Sequence, residues 1–279
     1  MSNVKNMNRR RILKTGIASM IAAPFPLADI DAAISPKAKG ETKVIYLGGD
    51  FWHNGITQEM EMRRTFSNTD WRLIFAHHDQ FITPEVLKDA DLFIMLRTTA
   101  SNFLGYTADG LVENRPRCRV LTEEQEDAII DNVVNRGMGF LALHATCLFA
   151  SKENFRKIMG IDPIMHGPIQ TVHMQKFNQN HPITKGFNDF DVEHDENFGI
   201  KIVSDRAINL FESTGRDDGR TDIAGWCIEA GKGRIAGLLA GHSHTAWRHP
   251  IYRQLHWRAA FWAMKREIPN YKEPKNLVF

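Results

Sequence analysis

From Lys43 onward, short unbroken apolar runs alternate with stretches in which apolar residues recur every three or four positions. Val44-Ile45-Tyr46-Leu47, closed by Gly48-Gly49, has the length and turn signal of a buried strand. Ile56, Met60, Met62 and Phe66, set among charges, predict a helix. Residues 71–76 form a second apolar run. Thr83-Pro84-Glu85 opens a short helix with an N-cap and a proline at its first position, and residues 91–96 read as a third buried strand. Leu121-Thr122-Glu123-Glu124-Gln125 is a capping box, Ala128, Ile129 and Val133 give the following helix its apolar face, and Gly137 ends it. Gly139-Phe140-Leu141-Ala142-Leu143 is apolar at every position, as a parallel strand covered on both faces requires. Strands joined by helices imply a parallel sheet with right-handed crossovers. The segments after the strands then gather along one edge, where such sheets bind ligands.

Beyond Gly160 the strands become shorter and more polar. Residues 171–177, 223–229 and 234–239 are expected to be antiparallel, with a hairpin at Gly231-Lys232-Gly233, and residues 250–265 form a last helix. The Arg/Asp/Gly-rich stretch 215–220 reads as a solvated loop.

The start of the chain is different in kind. Asn8-Arg9-Arg10-Arg11-Ile12-Leu13-Lys14 precedes a modestly apolar run over residues 17–28, a pattern that looks like a twin-arginine export signal, with Ala28 or Ala33 as its end. Residues 1–40 are thus expected to be signal and linker, with one domain over 41–279. The expected destination is the periplasm through the twin-arginine machinery. A basic tail on a cytoplasmic protein is the alternative.

At 279 residues, 43% hydrophobic and 24% charged, the chain has an ordinary globular composition. Its formal charge of +2 is unevenly placed. Residues 1–40 hold seven bases and two acids, so the body carries −3. With no basic stripe in that body, nucleic-acid binding is disfavoured. Three cysteines far apart (Cys118, Cys147, Cys227) make no disulfide framework, and Cys147 reads as a packed thiol.

Twelve histidines focus the search for chemistry. His53 lies past the first strand, His144 ends the fourth, and His242 and His244 follow the last, so all four fall on the expected functional edge. His144 sits between small residues in Ala142-Leu143-His144-Ala145-Thr146, the environment of a tight strand-to-helix elbow. A nucleophilic serine or cysteine would stand there in a hydrolase or amidotransferase. Among the six tryptophans, Trp52 beside His53 and Trp247 beside His244 could stack on a sugar's C–H face, whereas Trp71, Trp257 and Trp262 belong to the core. His77, His78, His249 and His256 read as surface or packing residues, and His181-Pro182 as a turn.

Gly49-Asp50-Phe51-Trp52-His53, the capping box leading to Gly139–Ala145, Asn180-His181-Pro182-Ile183 with Gly186, Asp195-Glu196, and Gly231–Arg234 leading to Gly241-His242 and Trp247 together resemble the ThuA-like (trehalose utilisation) family of the class I glutamine amidotransferase-like superfamily. The resemblance implies a three-layer flavodoxin-like α/β fold with a mostly parallel sheet and an antiparallel C-terminal extension. It also implies sugar catabolism, on a glycoside or keto-sugar. Glutaminase activity is not expected, because the elbow carries His144 and the late strand lacks the His-x-Glu pair.

The resemblance brings His166-Gly167-Pro168 and His194-Asp195-Glu196 over the same cleft. His144, His242 and Glu196 are then the expected acid/base groups, with His53, Trp52, His244, Trp247 and Asp195 contacting substrate. Alternatively, His144, His166, Glu196 and His242 hold a divalent metal such as zinc. A third reading is a binding module that holds a sugar or a partner without turnover. A homo-oligomer is compatible with the sequence.

Overall fold

The computed structural model describes residues 33–50, 52–98 and 121–274. Contacts divide the chain between Ser35 and Pro36, and the twin-arginine pattern and apolar run lie outside the described residues, as does Cys118. No helix among the described residues is long and apolar enough to cross a membrane.

The first half follows the sequence pattern closely. β1 (Lys43–Gly48) is buried throughout and leads to α1 (Gly55–Thr65), where the Asn54 side chain accepts the Thr57 N–H. β2 (Arg72–Ala76) and α2 (Pro84–Leu87), capped by Thr83, come next, followed by β3 (Leu92–Leu96). α3 (Glu123–Asp131) starts with a complete Thr122/Gln125 capping box, and after a wider turn Gly137 ends the helical stretch in the left-handed region. β4 (Gly139–Leu143) is wholly buried.

After β4, residues His144–Ser151 run in 3-10 turns to α4 (Glu153–Met159). Six strands follow: β5 (Ile161–Ile164), β6 (Ile169–Lys176), β7 (Phe190–Glu196), β8 (Gly199–Ile202), β9 (Ile208–Gly215) and β10 (Thr221–Ala230). β11 (Gly233–Leu238), α5 (His244–Arg248) and α6 (Pro250–Ala263) are the last regular elements among the described residues. The turn between β10 and β11 needs glycine: Gly231 has φ 61°, and a Cβ there would lie 2.4 Å from the Val134 carbonyl oxygen.

The eleven strands among the described residues belong to one sheet, ordered β2-β1-β3-β4-β11-β10-β9-β6-β7, with β8 on β10 and β5 on β8. β2, β1, β3, β4 and β11 pair in parallel, and every other pairing is antiparallel. The sheet is therefore mixed, not mostly parallel. Nor is the antiparallel part a C-terminal extension, because β5–β10 are inserted between β4 and β11. β11 is antiparallel to β10 but parallel to β4. Its six residues are almost wholly buried, so it completes the core next to β4.

The helices form two packing groups. α1, α5 and α6 contact one another, with α6 also against β4 and β11 and α1 against β1, while α3 packs on both α2 and α4. The register sets the strand ends level: Gly48 is opposite Leu96, Met95 opposite Ala142, and Leu143 opposite Leu238. The segments after β1, β3, β4 and β11 consequently emerge side by side.

Candidate functional site

At the elbow after β4, His144 is fully buried and adopts φ 45°, a left-handed conformation that costs a residue with a Cβ about 1–2 kcal/mol. The segment is tied down by Thr146, whose hydroxyl donates to the Met95 carbonyl (2.7 Å) and accepts the Arg97 N–H. His144 Nδ1 stands 2.7 Å from the Leu239 carbonyl oxygen. A carbonyl only accepts, so Nδ1 carries a proton and Nε2 is the nitrogen turned toward the cleft.

His53 is organised in the same way. Its Nδ1 donates to Asp50, 2.7 and 2.9 Å from the two carboxylate oxygens, and leaves Nε2 with a free lone pair, buried and without a hydrogen-bond partner. Asp50 also accepts the backbone N–H groups of Trp52, His53 and Thr98. Burial raises its pKa, but the His53 hydrogen bond and these amides outweigh it and hold the carboxyl below the usual range. Burial, with the His144 ring adding to it, lowers the pKa of His53 despite the pull of Asp50. His53 is therefore neutral near pH 7.

The third imidazole comes from the loop after β11, whose polar backbone groups are clamped in turn. Gly241 N–H donates to both oxygens of Asp195 (3.2 and 3.1 Å) and His242 N–H to one of them (3.2 Å). The Ala240 carbonyl accepts from the Tyr252 hydroxyl and the Gly241 carbonyl from Trp247 Nε1 (2.9 Å). Gly241, at φ 141°, lets the loop pass His144 closely. The rings of His53, His144 and His242 then meet edge to face, with centroids 4.8, 5.3 and 5.8 Å apart, and one ligand atom from each lies within 4.8 Å of the others.

Glu196 closes the cluster from β7. A regular strand would send Asp195 and Glu196 to opposite faces. His194 instead adopts φ 58°, the pairing with β6 shifts register nearby, and both carboxylates become buried. Glu196 Oε2 stands 3.4 Å from His144 Nε2 and 3.4 Å from His242 Nδ1, while Oε1 is 3.3 Å from His166 Nδ1. Burial pushes Glu196 up, but the imidazoles of His144 and His242 hold it far below the usual carboxylate range. Hydrogen bonding to Glu196 in turn raises His242 above its ordinary value. Apart from these contacts with Glu196, neither His144 Nε2 nor His242 Nδ1 has a hydrogen-bond partner, so with His53 Nε2 three buried imidazole nitrogens converge beside an ionised carboxylate.

Several sequence expectations change here. His53, expected at the substrate, is 3% exposed and belongs to the histidine cluster. Asp195, also expected at the substrate, is fully buried, and backbone amides occupy its oxygens. Trp247, also expected at the substrate, is buried, stacked on His256 and bonded to Gly241. His244 is exposed, and no hydrogen bond, ion pair or ring contact among those described joins it to the cluster. His166 is exposed and touches Glu196 and Phe198, which also packs on His144. Trp52 remains 49% exposed next to His53. Asp50 had no assigned role in the sequence, although an acid three residues before a strand-end histidine was a usable signal.

The class defined by these features is an α/β protein with a mixed sheet and a buried cluster of three histidines and a carboxylate at the ends of its parallel strands. A family model described as ThuA, trehalose utilisation, matches residues 43–263, and the chain belongs to that family. Among solved structures, it is similar to a ThuA-like protein of Parabacteroides merdae (14% identity, 83% of this chain and 93% of that one, TM-score 0.63). A ThuA-like protein of Bacteroides uniformis (17% identity, 82% and 94%, TM-score 0.61) and a cytoplasmic protein of Salmonella typhimurium (15% identity, 80% and 98%, TM-score 0.54) share the fold. No curated protein matches the chain by sequence.

Proposed function

We propose that the chain transforms a small sugar derivative, a glycoside or keto-sugar, at the cluster of His53, His144, His242 and Glu196, with a divalent cation such as zinc as cofactor. Family membership supports the sugar-related role. The observation that carries the site is the convergence of three buried imidazole nitrogens, two of them oriented by Nδ1–H bonds to Asp50 and to the Leu239 carbonyl. Such outer hydrogen bonds orient histidines that ligate metals. Three imidazoles and a nearby carboxylate also suit zinc better than a harder ion. When bound, the cation supplies Lewis acidity toward a carbonyl or hydroxyl oxygen.

The protein's own groups do the rest. Glu196, ionised at neutral pH, is the base that takes a proton next to a carbonyl, and His166 at its other oxygen exchanges that proton with solvent. Trp52 offers an indole face to the apolar side of the sugar ring. Glutamine hydrolysis is not part of this reading, because burial raises the Cys147 thiol well above its usual pKa. The parallel half, ordered β2-β1-β3-β4-β11, is read as flavodoxin-like, and the N-terminal pattern as an address for twin-arginine export.

Elemental analysis of the purified protein, before and after chelator treatment, tests the cofactor. Product analysis on keto-glycosides with His144→Ala and Glu196→Gln tests the chemistry. Bound zinc, and losses in turnover of 100-fold or more in both variants, are expected. Wild-type turnover in either variant rejects the assignment, and a sugar that raises Tm without being consumed favours a binding module.

A further inference from the structure

α1 begins two residues after His53, and α5 begins two residues after His242. The two helices thus carry two of the three clustered imidazoles at their leading ends. Away from the cluster a buried carboxylate joins them. Glu61, on the second turn of α1 and 6% exposed, accepts Arg248 Nε on the last residue of α5 at 3.0 Å and Arg253 of α6 at 3.2 Å. Arg253 is itself 2% exposed, and its second guanidinium nitrogen bonds Glu273.

We infer that Glu61 is a positioning residue for the histidine cluster: by gripping Arg248 and Arg253 it sets how far α1 stands from α5, and so how far His53 stands from His242. The inference rests on the reading of the three histidines as a cation site. The physical argument is one of tolerance. Metal–nitrogen bonds accept deviations of about 0.2 Å, and the loops bearing His53 and His242 are already fixed to the strand ends by Asp50 and Asp195. The remaining freedom is movement of the helices those loops lead into. The Glu61–Arg253 pair is buried on both sides, so neutralising Glu61 leaves a buried guanidinium without that partner, while the Arg248 bond ties the same carboxylate to α5 through a half-exposed side chain. Glu61 touches none of the clustered groups and has no other assigned role.

The test measures zinc affinity of the purified protein by competition with a chromophoric chelator, together with the visible spectrum of the cobalt(II) form. Glu61→Gln is expected to weaken zinc about 10–100-fold, the usual range for outer-shell partners, and to change the cobalt spectrum. Arg248→Gln, at a side chain exposed enough to leave folding intact, is expected to weaken it several-fold, and Arg248→Lys to recover part of the loss. Gly231→Ala, which destabilises a distant hairpin, serves as the structural control and is expected to keep the wild-type affinity. The inference is overturned if Glu61→Gln and Arg248→Gln keep wild-type affinity and spectrum, or if Gly231→Ala weakens zinc as much as they do. If His53→Ala and His144→Ala bind zinc as the wild type does, the cation-site reading itself has failed, and this inference falls with it.

Discussion

Which ring nitrogen carries the proton decides what each imidazole can do. Asp50 holds the Nδ1–H of His53, so Asp50→Asn offers an amide that can present either a donor or an acceptor, and the tautomer is no longer dictated. Zinc affinity is expected to fall about 10–100-fold while the fold persists, and chelator competition on the purified variant measures it. His256 shows the opposite use of the same side chain. It is buried against Trp247 and Tyr252 with neither nitrogen bonded, and burial drives its pKa down to about 3. In the unfolded chain an imidazole titrates near 6.5. Between these values the unfolded state binds a proton that the folded state does not, so acidification favours unfolding by about 1.4 kcal/mol per pH unit. His256→Leu is expected to flatten the dependence of the urea midpoint on pH between about 6 and 4, and an unchanged slope would refute this role. Both residues were visible as letters. Only burial and partners separate a lone pair facing a cleft from a ring packed in a core.

The parallel half of the sheet was legible as a pattern, because β1, β3 and β4 are buried on both faces and α2 and α3 carry their own start signals. Thr122 with Gln125 and Thr83 with Pro84 act locally, and local rules survive in the structure. The hairpin at Gly231 belongs to the same group. Gly231→Ala must place a Cβ 2.4 Å from the Val134 carbonyl at a left-handed φ, and is expected to cost about 2 kcal/mol or more, read from the urea midpoint. What the pattern missed was β5, β7, β8 and β9, which lie outside the apolar runs it marked, and the pairing of the strands it did mark. β11 looks like the second arm of a hairpin, which it is, yet its other edge joins β4 in parallel. Alternation along one strand says which face is buried and nothing about which neighbour lies across 5 Å. The local twist at His194 was equally hidden, since the spacing of Asp195 and Glu196 places them on opposite faces unless the backbone departs from a regular strand.

Taken as a whole, the chain pairs an acidic α/β body with a basic leader, and the two are proposed to serve different ends. If the leader is a twin-arginine address, Arg9→Lys combined with Arg10→Lys is expected to leave the protein in the cytoplasm, and fractionation with a tagged copy would detect this. Equal export of the variant and the wild type would count against the address. The mixed sheet, with β5–β10 inserted before β11, has a functional consequence for the molecule. The insertion supplies Glu196 and His166, so the base and the exposed imidazole come from the antiparallel half, whereas His53, His144 and His242 come from the parallel half. The site lies at the seam. Composition, the strand and helix order as far as β4, the elbow at His144 and the family resemblance could be read from the chain because they depend on neighbours within a few residues. The identity of the three clustered histidines and the inward turn of Asp195 and Glu196 were decided by the tertiary structure, because each depends on contacts between residues about 50 to 190 positions apart, set by strand register and backbone strain.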